Sequence, residues 1–134
     1  MSVEANVQLV QDAYAAFGSG DLPKLLGLMS PDILWEFPAS SVIPFAGRFV
    51  GPAEAARFFA ALAQHTEAEM FEPRHFVASG DHVVVLGHER FRVTSTGRTW
   101  QCEWSHAFTL GAGKITAFRE YTDTAVIEAA FRTA

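Results

Sequence analysis

The chain has a single cysteine, Cys102, so no intrachain disulfide can form and no thiolate cluster can hold a metal. It also lacks a basic surplus. Ten Lys and Arg stand against fifteen Asp and Glu, for a formal net charge of -5. The cations are scattered along the chain, which argues against the concentrated basic patch of a nucleic-acid binder. No apolar run reaches the roughly 20 residues needed to cross a bilayer, so no membrane partner is expected. The opening residues, Met1-Ser2-Val3-Glu4, have neither the basic start nor the apolar run of a signal peptide, and the expected compartment is the cytoplasm. There is no glycine-rich phosphate loop, no serine in a nucleophile-elbow setting and no tightly spaced metal signature. No cofactor and no metal are therefore expected.

Large rings are what the chain has in abundance. Twelve Phe, three Trp and two Tyr occur among 134 residues, of which 49% are hydrophobic and only 19% charged. That is more aromatic volume than a core of this size needs, and such rings often line a cavity for an apolar guest. The plainer alternative is a core of rings packed solidly together.

Helical spacing of Val3, Val7, Val10, Tyr14 and Phe17 predicts an amphipathic first helix, stopped by Gly18 and Gly20. Asp21 caps a second, shorter helix through Met29, which Ser30-Pro31-Asp32 breaks. Ile33 to Phe37 reads as a strand, and residues 38 to 50 as a loop at the rim of a pocket. Gly51-Pro52 opens a third helix that buries Ala55, Phe58, Phe59 and Leu62. From about residue 68 the period changes to two. Strands are expected at Met70 to Ala78, Asp81 to Val93, Thr99 to Leu110 and Ile115 to Thr122. The first of these belongs at a sheet edge, because Pro73 has no N–H for a ladder. Thr124 then caps a short terminal helix, Ala125 to Phe131. Helices first and a strand meander afterwards describe one α+β domain over residues 1 to 134: a curved, cone-shaped antiparallel sheet with about three helices on its concave face, enclosing an apolar pocket.

Alternation along the strand from Thr99 to Leu110 puts Trp100, Cys102, Trp104, His106, Phe108 and Leu110 on one side. That greasy row should face the helices, because a sheet buries the side that removes more apolar area from water. If Gly111-Ala112-Gly113 is a three-residue hairpin loop, Leu110 pairs with Lys114, position 106 faces 118 and position 104 faces 120. Phe118 and Glu120 then share the inner layer with Trp104 and His106. On the preceding strand the same face is expected to show Val84, Leu86, His88, Arg90 and Arg92. Val83, Val85 and Phe91 would form an apolar outer patch. Glu120, His106, His88 and Arg90 would thus meet in an aromatic cavity, a mixture suited to proton transfer. The competing reading makes Glu120 and Arg90 a buried ion pair that satisfies only itself.

Trp35-Glu36-Phe37-Pro38, Pro44-Phe45-Ala46-Gly47 and Gly51-Pro52 resemble the SnoaL-like branch of the nuclear-transport-factor-2-like superfamily. So do Trp104-Ser105-His106-Ala107-Phe108, Gly113-Lys114-Ile115 and Phe118-Arg119-Glu120-Tyr121-Thr122-Asp123. The resemblance runs along nearly the whole chain. It implies a cone-shaped α+β domain with a deep pocket, dimerising through the outer sheet face. Ketosteroid isomerases of that superfamily carry an Asp base where this chain has Phe37, and their helical Tyr falls at Ala13, next to Tyr14. In limonene-epoxide hydrolases the last-strand Asp matches Glu120 and the Arg matches Arg90. Their second Asp is Arg92 here, their Asn is Phe37 and their Tyr is Trp35. Polyketide cyclases of the SnoaL type pair a pocket Asp with a nearby His, and Glu120 with His106 resembles that pair in placement.

The expectation is a cofactor-independent acid–base enzyme, cyclase- or isomerase-like, acting on a small apolar carbonyl-bearing molecule. Glu120, His106 and Arg90 would be catalytic. Tyr14, Trp35, Phe37, Phe58, His88, Trp104 and Phe118 would bind the substrate. The rivals are a non-catalytic small-molecule binder of the same fold, an epoxide hydrolase-like enzyme and a domain devoted to a protein partner.

Overall fold

The computed structural model describes residues 2–132. Helix α1 (Val3–Gly18) starts at Ser2, whose hydroxyl accepts from the Ala5 N–H, and buries Asn6, Val10, Ala13 and Ala16. Helix α2 (Leu22–Gly27) is capped by the Asp21 carboxylate, which accepts from the Lys24 N–H. Its expected continuation through Met29 does not occur, because Met29 opens strand β1 (Met29–Phe37). Pro31 interrupts this strand without ending it: the pairing register shifts between Met29 and Leu34, as an extended chain allows where one N–H is missing.

The segment read as a pocket-rim loop contains a short strand, β2 (Gly47–Val50), paired antiparallel with β1. Helix α3 (Gly51–His65) follows, burying Ala55, Phe58 and Phe59. Strands β3 (Thr66–Ser79), β4 (His82–Val93), β5 (Thr99–Gly111) and β6 (Lys114–Thr122) form the meander. Helix α4 (Thr124–Phe131) is capped by Asp123 rather than Thr124. No helix among the described residues is long and apolar enough to cross a membrane.

The strands make one curved, unclosed sheet in the order β2-β1-β6-β5-β4-β3. It is mixed rather than wholly antiparallel, since β1 runs parallel to β6. The strand carrying Pro73 lies at an edge, as its missing donor requires. Helices α1 and α3 pack on the sheet, and α4 closes against β5 and β4.

Two registers decide which side chains look inward. Between β5 and β6 the turn is Ala112-Gly113, both at positive φ, and Gly111 pairs with Lys114. This is the two-residue hairpin, one residue tighter than the expected loop. On its own it would have turned Glu120 to the outside, because a one-residue slip exchanges the faces of a strand. A register shift between Thr109 and Leu110 compensates. Leu110 pairs with Ile115 and Thr109 with Ala117, which leaves Thr116 as the extra residue, its hydroxyl donating to the Thr109 carbonyl. His106 consequently lies directly opposite Glu120, and Phe108 opposite Phe118.

No such compensation occurs between β4 and β5. Val83 pairs with Phe108, Val85 with His106, Gly87 with Trp104, Glu89 with Cys102 and Phe91 with Trp100. The odd-numbered residues of β4 face the helices, where the even-numbered ones were expected. Val83, Val85 and Phe91 are core residues rather than an outer patch. His88 and Arg90 stand on the outer face.

Candidate active site

The site grows from the inner face of β5 and β6. Their antiparallel pairing sets His106 against Glu120 near the middle of the sheet, and both are buried. The imidazole Nε2 lies 3.4 Å from Glu120 Oε1. That is close enough for charge attraction, but the atoms are not aligned as a hydrogen bond, and Nε2 has no hydrogen-bond partner among the described residues. On the other side of the ring, Tyr14 of α1 brings its hydroxyl to 2.7 Å from Nδ1. Burial, with the nearby Glu120 charge, pushes the Tyr14 hydroxyl far above its ordinary range. It therefore keeps its proton and is positioned to donate to Nδ1. With that donation the hydrogen of a neutral imidazole sits on Nε2, on the Glu120 side of the ring, which is how a second partner sets a histidine tautomer.

Trp104 and Phe71 hold this imidazole from behind. The Trp104 ring stacks on His106 at 3.8 Å between centroids, and Phe71 stacks on Trp104 at 5.0 Å. Gly87 makes the arrangement possible: a Cβ there would lie 2.2 Å from Cζ2 of Trp104. The glycine is thus required by close approach, not by an unusual φ.

A second carboxyl, Glu89 of β4, was not anticipated. It is buried, and Trp100 Nε1–H donates to its Oε2 at 2.6 Å. Burial, reinforced by the Glu120 charge and only partly offset by the Trp100 hydrogen bond, pushes it up to about 8. At neutral pH it is mostly a protonated acid, able to donate. One signal in the sequence could have revealed it. The rule applied to β5, that the greasier row goes inside, selects Val83, Val85, Gly87, Glu89, Phe91 and Val93 on β4, because the other row carries His88, Arg90 and Arg92.

Glu120, His106 and Glu89 line one cavity with a free volume of about 60 Å³. Tyr14, Trp35, Phe37, Phe58 and Phe118 also line it, alongside Phe17, Phe45, Phe59, Phe71 and Trp100. Trp35 stacks on Phe118 at 3.7 Å, following the parallel pairing of β1 with β6, and its indole Nε1 has no partner among the described residues. Trp104 backs His106 and is not part of the lining.

Two expected site residues lie elsewhere. Arg90 is exposed and its Nε lies 3.0 Å from Glu69 on the outer face. His88, on the same face, sits 3.0 Å from Gln101 Nε2 through its own Nε2. The one-residue difference in the β4 register moved both. Arg90 therefore neither balances Glu120 nor reaches the cavity.

Comparison with known proteins agrees with this architecture. Residues 10–118 match the SnoaL-like domain model. An NTF2-like protein of Burkholderia xenovorans LB400 is 39% identical, with a TM-score of 0.91 over 98% of this chain and 99% of that one. A protein named TerC, crystallised with polyporic acid, is 26% identical, with a TM-score of 0.83 over 95% and 98% of the two chains. An uncharacterised protein of Mycobacterium tuberculosis is 27% identical over 129 residues, 96% of this chain and 97% of its own. With the sheet order, the helix-covered concave face and the domain match all in agreement, this chain belongs to the SnoaL-like family of the NTF2-like superfamily.

Proposed function

We propose that the protein is a cofactor-independent acid–base enzyme of the cyclase or isomerase kind, acting on a small apolar molecule that bears a carbonyl group. The observation that carries this reading is the buried His106–Glu120 pair, 3.4 Å apart, facing an aromatic-lined cavity that Glu89 also enters. A carboxylate and an imidazole within reach of one reacting centre can move protons in both directions. Glu120 takes the proton from the carbon next to the carbonyl, and the electron pair of that C–H bond moves into an enolate. Glu89, held protonated, donates to the developing oxyanion, together with the His106 Nε2–H. The enolate then takes its proton back at carbon, or attacks a second carbonyl of the same molecule, whose alkoxide recovers the proton from Glu120. No co-reactant is needed in either case. The unpartnered Trp35 indole N–H offers a further donor to a substrate oxygen. The co-crystallisation of the relative TerC with polyporic acid supports a small organic ligand for this fold.

The test is deuterium exchange at the carbons flanking the carbonyl of 2-octanone in D2O, followed by NMR. The wild-type protein should accelerate exchange. Glu120→Gln should lower the rate by about 10²–10⁴-fold, the usual worth of a general base, with ligand affinity and melting temperature nearly unchanged. Binding without exchange would instead support a non-catalytic binder. Loss of stability with unchanged turnover would make the pair structural.

We also propose self-association through the outer sheet face. Val77, Leu86 and Tyr121 are exposed there, and Arg119, whose guanidinium lies over the Tyr121 ring, is paired with Glu36. An exposed apolar strip of this kind suits a second copy of the same surface. A light-scattering mass near the 14.7 kDa of one chain at micromolar concentration would overturn this.

A further inference from the structure

Beside the cavity of His106 and Glu120 lies a second hollow, between α1, α2, α3 and the first turns of β3. It has a free volume of about 260 Å³. Phe17, Leu25, Phe59 and Leu62 line both spaces and so form the partition between them. The Phe17 and Phe59 rings pack against each other within it, with centroids 6.0 Å apart, and so close the partition at that point. Among the described residues no charged side chain lines the outer hollow. Its one hydroxyl, Thr66, is already used, donating to the Leu62 carbonyl at 2.6 Å. Exposed Gly20, Ala63 and Ala68 stand at its rim.

The two volumes constrain what binds. An apolar cavity of about 150 Å³ is sufficient for benzene. At about 60 Å³ the inner cavity is smaller than that, yet it holds all the ionisable groups. The outer hollow is larger than that and offers nothing polar to recognise. The inner space therefore admits a compact polar head, and the bulk of any ligand must sit outside the partition.

We infer that the two hollows are subsites for one ligand: a carbonyl head held at His106, Glu120 and Glu89, and an unbranched hydrocarbon tail that displaces the Phe17–Phe59 ring contact to reach the outer hollow. This assignment rests on reading the inner cavity as the working site. It narrows the substrate class to amphiphilic ketones or related carbonyl compounds with a hydrocarbon extension. A compact ring that carries no tail is disfavoured.

Calorimetric titration of the full chain with methyl ketones from 2-butanone to 2-undecanone tests the inference. Affinity should rise by about fourfold per added methylene, the increment expected for burying each CH₂, and level off once the outer hollow is filled. The heat capacity of binding should become more negative along the same series. Ala63→Trp and Ala68→Trp change exposed rim positions and should fold normally. Each should flatten the dependence on chain length while leaving 2-butanone binding unchanged. No gain with chain length in the wild-type protein, or a gain that both variants leave intact, would overturn the two-subsite assignment. Glu120→Gln separates this inference from the enzymatic reading. Retained chain-length dependence with unaffected exchange would sink the enzymatic reading alone, whereas lost exchange with no chain-length dependence would sink the subsites alone.

Discussion

The Tyr14 hydroxyl of α1 lies 2.7 Å from Nδ1 of His106 on β5, across 92 positions of sequence. A helix that could have been mere roofing thereby brings a hydroxyl donor to the imidazole facing Glu120. Tyr14→Phe should leave the ring in place, since Trp104 stacks on His106 from behind, but Nδ1 loses its donor. Stability should fall by about 1–3 kcal/mol, the cost of stranding a buried acceptor. Nitrogen NMR of His106 should change from a single Nε2–H form to a mixture of tautomers. An unchanged spectrum would mean that Tyr14 does not set the tautomer.

Glu89 predicts how stability depends on pH. Between about 4.5 and about 8 the unfolded chain has this carboxyl ionised while the folded protein holds its proton. Folding then takes up a proton, so stability falls as pH rises through that window and levels off above it. Glu89→Gln keeps an acceptor for the Trp100 N–H and removes the titration. The variant should be more stable than wild type at pH 7–8, by on the order of 2 kcal/mol, and should show a flatter profile in denaturant titrations across pH. An identical slope would show that Glu89 ionises normally.

The same group predicts an activity profile. If protonated Glu89 donates to the enolate, exchange of ketone protons should decline above about pH 8. Glu89→Gln still carries a donor, so it should retain much of the rate and lose that alkaline decline. A variant with the wild-type decline would transfer the limb to another group.

Gly87→Ala should be disproportionately harmful for one added methyl. The new Cβ would meet Trp104 at 2.2 Å, and Trp104 is the backing of His106. Overpacking of this kind costs about 1–3 kcal/mol. Near-UV circular dichroism should register the displaced indole, and exchange activity should fall with it. Normal activity and stability would mean that the ring moves aside freely.

Arg90→Ala, by contrast, should alter stability by no more than about 0.5 kcal/mol and leave exchange activity unchanged. Its partner Glu69 is on the outer face and both side chains are substantially solvated, where ion pairs contribute little. A large loss of activity would return Arg90 to the catalytic set.

The amino-acid sequence alone determined the α+β character, the α1 and α3 helices, the edge position of the Pro73 strand and the inward row of β5. They follow from helical or twofold spacing, capping residues, the donor that proline lacks and, for β5, the contrast between a greasy row and a polar one. The pairing of Glu120 with His106 was legible only in part. Both were expected on the inner face, yet they meet directly opposite because of a tighter turn at Ala112-Gly113 and an extra residue at Thr116. The two one-residue departures add, which keeps Glu120 on the inner face while moving its partner from Trp104 to His106.

What tertiary structure decided was the β4 register. One residue of slip between β4 and β5 exchanged Arg90 and His88 for Glu89, turning an expected cation in the pocket into a second carboxyl. Side chains alternate with a period of two, so a strand's pattern names two candidate faces. Which one is buried is set by the partner strand and by the area each face removes from water. The partition between two hollows belongs to the same category, since Phe17, Leu25, Phe59 and Leu62 come from three helices that only their packing on the sheet brings together.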